Sequence, residues 1–185
     1  MIEDVIAEAR GRMQKAIEHL QTDLTSVRTG RASPSLIERL PVEQYGTEMP
    51  LNQLATIAAP EARLLTISPW DKSSLGAIEK AIRKSDLGFN PSNDGTVIRI
   101  AIPPLTEERR RAMVKIVHDK VEQGRIAIRN IRRDAMSQAR EFRDEKMISE
   151  DEERRAEGQI QELTNKFVAQ ADQLGKAKEQ DLMAV

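Results

Sequence analysis

Apolar residues near the start of the chain, Ile2, Ile6, Ala9, Met13, Ala16, Leu20, Leu24 and Val27, recur at intervals of three and four. That spacing lays a narrow apolar seam along one side of a helix. Gly30 then offers a C′ stop. The rhythm returns after Thr106, an N-cap followed by Glu107 and Glu108, whose charges suit the first turn of a helix. Its seam runs through Met113, Val117, Val121, Gly124, Ile128, Ile131, Ala135, Ala139 and Phe142. A third segment opens at Ser149 with Glu152 three residues on, the capping-box pattern. It continues through Ala156, Ile160, Leu163, Phe167, Ala171 and Leu174. At 1.5 Å per residue the second and third helices each run to roughly 50–60 Å. Three such seams must bury one another, which predicts an elongated three-helix bundle.

Between these helices the pattern changes. All eight prolines (34, 41, 50, 60, 69, 91, 103 and 104) lie within residues 34–104. Fifteen of the 71 residues in that stretch are charged, against 44 of the other 114. Proline costs a helix interior about 3 kcal/mol, so the proline-free flanks are free to form long helices and the middle is not. Leu64–Ile67 and Thr96–Ile102 are β-branched and strand-like, and Leu36–Tyr45 reads as a strand interrupted or edged by Pro41. Ser73–Lys84 reads as a helix with Leu75, Ile78, Ala81 and Ile82 on one face, and Asn93-Asp94-Gly95 as a turn. The expected fold class is α+β: residues 1–30 and 105–185 form the bundle, and residues 31–104 form a small inserted α+β or α/β sandwich. Two strands join them, at 29–31 and 103–105, so Gly30, Arg31, Pro103 and Pro104 are candidate hinge residues.

Composition narrows the chemistry. Cysteine is absent and the histidines are His19 and His118 alone, which removes thiol catalysis, disulfides and histidine-rich metal sites. No apolar run reaches the roughly 20 residues of a membrane span, and the N-terminus lacks the pattern of a signal or transit peptide, so an intracellular, cytoplasmic protein is expected. Phosphate-loop, dinucleotide, nucleophile-elbow and zinc-protease motifs are all missing. Both histidines read as surface or boundary residues. The acids at 107–108 and 150–153 read as helix-start residues rather than cation ligands. Neither an enzyme, a catalytic residue, a metal nor a cofactor is indicated. Tyr45, Trp70 and Phe89 are few and scattered, and read as core rather than as a stacking platform.

Net charge is −1, yet its distribution is uneven. At 100° per residue, Arg111, Lys115, Arg125, Arg129, Arg132, Arg133, Arg140 and Arg143 fall on one arc of roughly 120° on the second helix. Glu107 and Glu122 alone oppose them there, and the apolar seam lies about 100° away. Arginine's planar fork suits phosphate. The arc therefore reads as an RNA-phosphate face. The alternative is a helical scaffold in which the arc pairs with residues 144–185, which hold 11 acids against 6 bases. Arg28 and Arg31 add a second basic point at the junction.

Seven stretches carry a resemblance: VRTGRASPSL (27–36), YGTEMPLNQLA (45–55), PWDKSSL (69–75), EKAIRKSDLGFNPSNDG (79–95), PPLTEERR (103–110), IRNIRRDA (128–135) and ISEDEERR (148–155). In these, in order and over essentially its whole length, the chain resembles the bacterial ribosome recycling factor family. Gln44 and Phe89 depart from it, where tyrosine and leucine are common. The resemblance implies an L-shaped, tRNA-like monomer whose bundle arm and β/α/β arm are joined by a flexible hinge. It implies binding to large-subunit ribosomal RNA through Arg129 and Arg132, with Arg28 and Arg31 near the hinge; Arg125 and Arg133 lie in the same basic patch. It also implies joint action with elongation factor G and its GTP hydrolysis to split the post-termination ribosome and free mRNA and tRNA, with no covalent chemistry in this chain.

Overall fold

A computed structural model describes residues 1–27 and 30–184. Arg28 and Thr29, named above for RNA contact and for the hinge, lie outside the described residues. The chain divides into two compact units, Met1–Arg28 with Glu107–Ala184, and Thr29–Thr106.

The first unit holds α1 (Ile2–Thr25), α3 (Glu107–Asp144) and α4 (Glu150–Met183), each packed against the other two. The core face of α1 is Val5, Ala9, Met13, Ile17, Leu20 and Leu24, with Val27 buried beyond the helix end. This corrects the seam predicted above, because Val5 and Ile17 are buried while Ile2, Ile6 and Ala16 are only half-buried. The 3.6-residue repeat rotates the stripe, and a choice between neighbours one residue apart is settled by the partner helices. The predicted stop also moves. α1 ends at Thr25, where the Ser26 hydroxyl donates to the Asp23 carbonyl at 2.6 Å and Val27 N–H to Leu24 at 3.1 Å. Gly30, at φ +74, is therefore not the C′ residue of this helix.

The α3 seam buries Val117, Val121, Ile128, Ile131, Ala135 and Ala139. α4 opens with the expected box: Glu152 N–H donates to Ser149 Oγ at 3.1 Å and Ser149 N–H to Glu152 Oε2 at 2.7 Å. The turn between α3 and α4 is a Schellman motif without glycine. Met147 N–H donates to Phe142 at 2.8 Å and Lys146 N–H to Arg143 at 2.9 Å, with Lys146 at φ +60. Lys146→Gly relieves a left-handed lysine and is expected to raise stability by about 0.5–1 kcal/mol, read as a higher urea midpoint at unchanged m.

The second unit is entirely antiparallel. β1 (Pro41–Gln44) and β2 (Thr47–Pro50) form a hairpin. β3 (Ala55–Glu61), β4 (Leu64–Pro69), β5 (Pro91–Asn93) and β6 (Ile98–Ala101) form a sheet in the order β3-β4-β6-β5. α2 (Leu75–Lys84) packs on β1 and on β5, so helix and hairpin layer over the sheet. The core centres on Val42, Leu51, Leu65, Ile67, Ile78, Ile82, Ile98 and Ile100, all fully buried. The prolines explain themselves: Pro41 and Pro50 bound the hairpin, and Pro60 and Pro91 lie on the edge strands β3 and β5, where a missing N–H costs no ladder bond.

Three sequence expectations change here. The strand expected over Leu36–Tyr45 is a 3₁₀ turn at Pro34–Leu36 followed by β1. β2 and β3 were not expected at all. Tyr45 and Trp70 are not core but 69% and 67% exposed, while Phe89 is buried. Tyr45 and Gly46 form the two-residue hairpin turn at φ +55 and +76, as a type I′ turn requires. That puts Tyr45 at the apex, where its hydroxyl donates to Asp71 and, with the Ser73 N–H, holds that carboxyl below its usual range. The Trp70 indole N–H donates to Thr56 Oγ1 at 3.0 Å.

Candidate nucleic-acid interface

Because α3 is continuous from Glu107 to Asp144, its basic arc is carried on one rigid rod. Within the arc, however, the arginines differ in what they touch. Those nearest α4 are held by it. Arg125 donates through Nε to Asp172 at 2.7 Å and through Nη1 to Glu122 at 2.9 Å. The hydrogen bonds to Glu122 and then Asp172 push its pKa up, and two carboxylates offset its charge. Arg143 lies 2.9 Å from the buried Glu153 and 2.8 Å from Asp144; hydrogen bonding to Asp144 first, then the charge of Glu153, raises its pKa.

Arg132 is also held, but by a neutral group: its Nη1 donates to Gln161 Oε1 at 3.1 Å. Further round the arc the side chains turn to solvent. Arg129 is half-exposed, with Glu122 at 3.5 Å. Arg133, Arg140 and Lys115 are exposed and have no hydrogen-bond or ion-pair partner among the described residues. Arg111 pairs with Glu107 at 2.6 Å, both largely exposed. The acidic helix α4 therefore screens Arg125 and Arg143, and leaves the charges of Arg132, Arg133 and Arg140 unopposed by any carboxylate of its own.

Arg143 and Glu153 make a structural pair rather than a binding one. Glu153 is 8% exposed at the side chain, and removing its partner strands a carboxylate in the bundle. Arg143→Ala is expected to lower the melting temperature, because it leaves Glu153 without its partner, with solvation of the exposed arginine limiting the loss. A thermal melt checks this, and adding Glu153→Gln should recover part of the loss.

At the junction, Arg31 is exposed, and both connecting segments are pinned to the same β3–β4 turn. Ala32 N–H donates to the Ala62 carbonyl at 2.7 Å and Ile102 N–H to the Arg63 carbonyl at 2.8 Å. Pro103 and Pro104 follow, exposed and outside any helix or strand. Gly30 sits against Leu105, whose Cγ would be 3.1 Å from a Cβ added at residue 30. Its positive φ and this close approach both favour glycine.

His19 and His118 are exposed beside Asp23 and Glu179, at 3.4 and 3.2 Å. Among the described residues no group of acids and histidines is arranged to hold a metal ion, and no helix is long and apolar enough to cross a membrane. Of the α4 residues that meet the arginines, Gln161 and Asp172 carry no signal in the sequence, and Glu153 reads there only as one of the acids that open the helix. They stand 29, 47 and 10 positions from Arg132, Arg125 and Arg143, and no spacing rule links residues on opposite helices.

The model of the family described as ribosome recycling factor matches residues 20–183. The ribosome-recycling factors of Thermomicrobium roseum and Carboxydothermus hydrogenoformans are each 56% identical to the chain over 185 residues, covering all of both proteins. Among solved structures, a solution structure of the ribosome recycling factor aligns with a TM-score of 0.71 at 43% identity, over 100% of this chain and 98% of that one. A chain from models of the T. thermophilus ribosome recycling factor and the E. coli elongation factor G bound to the E. coli post-termination complex aligns with a TM-score of 0.62 at 51% identity, over 98% of each.

Proposed function

The chain belongs to the ribosome recycling factor family, and we propose that it acts, as a cytoplasmic monomer, on the post-termination ribosome together with elongation factor G. The observation that carries this reading is an arginine face on one continuous 38-residue helix in a chain that matches family members end to end. Its role is mechanical and not enzymatic: the GTP hydrolysis belongs to the partner.

In this reading the bundle anchors on large-subunit ribosomal RNA. Arg129, Arg132 and Arg133 supply phosphate contacts, spaced roughly 5–6 Å along the helix axis from first to last, about one nucleotide step. Arg28 and Arg31 extend the contact toward the junction. Arg125 contributes less charge, because Glu122 and Asp172 offset it, and more to the placement of α4. Such contacts fix register without reading base identity. Gly30, Arg31, Pro103 and Pro104 form the hinge, and elongation factor G displaces the inserted unit while the bundle stays anchored.

The test is sedimentation of ribosomes that carry mRNA and deacylated tRNA. Subunits should separate when this protein, elongation factor G and GTP are all present, and not when any one is omitted. Splitting that proceeds without GTP, or no binding at low salt, would overturn the reading. The hinge has its own check: labels on the two units should give a broad distance distribution in solution, and a single narrow distance would refute it.

A further inference from the structure

The arginine face does not end at α3. Gln161 on α4 accepts from Arg132 at 3.1 Å, and its amide nitrogen donates to Asn165 Oδ1 at 2.8 Å. A guanidinium has no acceptor, so Gln161 must turn its oxygen to Arg132 and its NH₂ outward; Asn165 takes that NH₂ and fixes the orientation. At 100° per residue, Arg154, Gly158, Gln161 and Asn165 fall on one strip of α4 roughly 60° wide. Between residues 154 and 165 the strip itself holds no carboxylate; Glu157 and Glu162 flank its two sides, and Asp172 follows two turns on at the same angle. Arg154, Gly158 and Asn165 are exposed and Gln161 half-buried, and nothing lies within 4 Å of where a Cβ would stand on Gly158.

The contrast lies within the same pair of helices. Where α4 offers Asp172, Arg125 is neutralised; where it offers Gln161, Arg132 is positioned by one hydrogen bond and keeps its full charge and its remaining N–H donors. From this we propose that Gln161 is a charge-sparing positioning residue for Arg132, and that the Gln161–Asn165 strip is the α4 half of the ribosomal RNA interface, offering amide N–H groups to phosphate and ribose oxygens. This rests on the proposal that the α3 arginines bind ribosomal RNA. A partner of this chemistry suits the strip because it combines fixed positive charge with neutral donors and a flat glycine, and places no carboxylate between them.

The experiment is Gln161→Glu in the full-length protein, with affinity for purified large ribosomal subunits measured across a salt series. The change is nearly isosteric and sets a carboxylate beside Arg132, as Asp172 is set beside Arg125. Affinity should fall by about tenfold, and the slope of log K against log salt should flatten by nearly one, as one phosphate contact is lost. A role confined to holding the bundle together predicts the opposite, because the new ion pair would keep the fold at least as stable and leave binding unchanged. In an Arg132→Ala background Gln161→Glu should add little, since its target is gone. Unchanged affinity and slope for Gln161→Glu, with Arg132→Ala impaired, would overturn the positioning role alone. Unchanged affinity for Arg132→Ala would overturn the RNA reading beneath it.

Discussion

Replacing Arg129 and Arg132 together with alanine is expected to weaken binding to large ribosomal subunits by about 100-fold or more at moderate salt, with the melting temperature held within about 2 °C. Each charge-assisted hydrogen bond to phosphate contributes about 1.5–3 kcal/mol, so two of them amount to at least the 2.8 kcal/mol that a hundredfold represents. The fold should not notice the change. Arg129 is half-exposed, with a single acid at 3.5 Å, and Arg132 gives up one bond to Gln161, whose oxygen is then open to water. The salt slope should flatten by about 1.5, the loss of two phosphate contacts. Arg125→Ala makes a useful contrast, because its charge is already offset by Glu122 and Asp172. Its effect on affinity should be several times smaller, and its effect on stability larger. Equal losses for Arg125→Ala and Arg132→Ala would mean that α4 does not sort the face in the way the hydrogen bonds suggest.

The same division marks what the sequence could reveal. The arginine face was legible because it obeys one number, 100° per residue along a single helix. The capping box at Ser149 was legible because both partners sit three residues apart. What depends on contact across elements was not. Val5 and Ile17 took the places expected of Ile2 and Ala16 because α3 and α4 decide which side of α1 faces inward. The β1–β2 hairpin was missed because Tyr45-Gly46 lacks the asparagine or aspartate that usually announces a type I′ turn. The turn at Lys146 was hidden in the same way, with lysine in a position where glycine would have signalled it. Aromatics as few and scattered as Tyr45 and Trp70 point to the core, yet each is exposed with its polar tip satisfied by a neighbour, Asp71 or Thr56. An amphipathic ring needs only that much to stay at the surface.

Gly175→Ala should destabilise the bundle by about 2–3 kcal/mol, a fall of roughly 5–10 °C in melting temperature for a chain of this size. Helix propensity alone predicts the opposite, a gain near 1 kcal/mol for replacing glycine within α4. The deciding quantity is a distance: a Cβ at residue 175 would lie 2.6 Å from Val121 Cγ2, and both residues are buried. Valine's branched Cβ allows essentially one rotamer in a helix, so that methyl cannot swing aside. The helices would have to separate where Val121 now packs against Gly175, loosening contacts well beyond the clash. Gly158→Ala is the control on the same helix. Nothing lies within 4 Å of its added methyl, so the propensity gain should appear undiminished as a rise of about 2–4 °C. A rise for Gly175→Ala as well would mean that the α3–α4 seam has slack there. The cause can be isolated by adding Val121→Ala, which alone should cost about 1–3 kcal/mol as a buried deletion. Made together, the two changes exchange one methyl for another across the seam, so their combined cost should be well below the sum; strict additivity would show that Gly175 and Val121 do not compete for the same space.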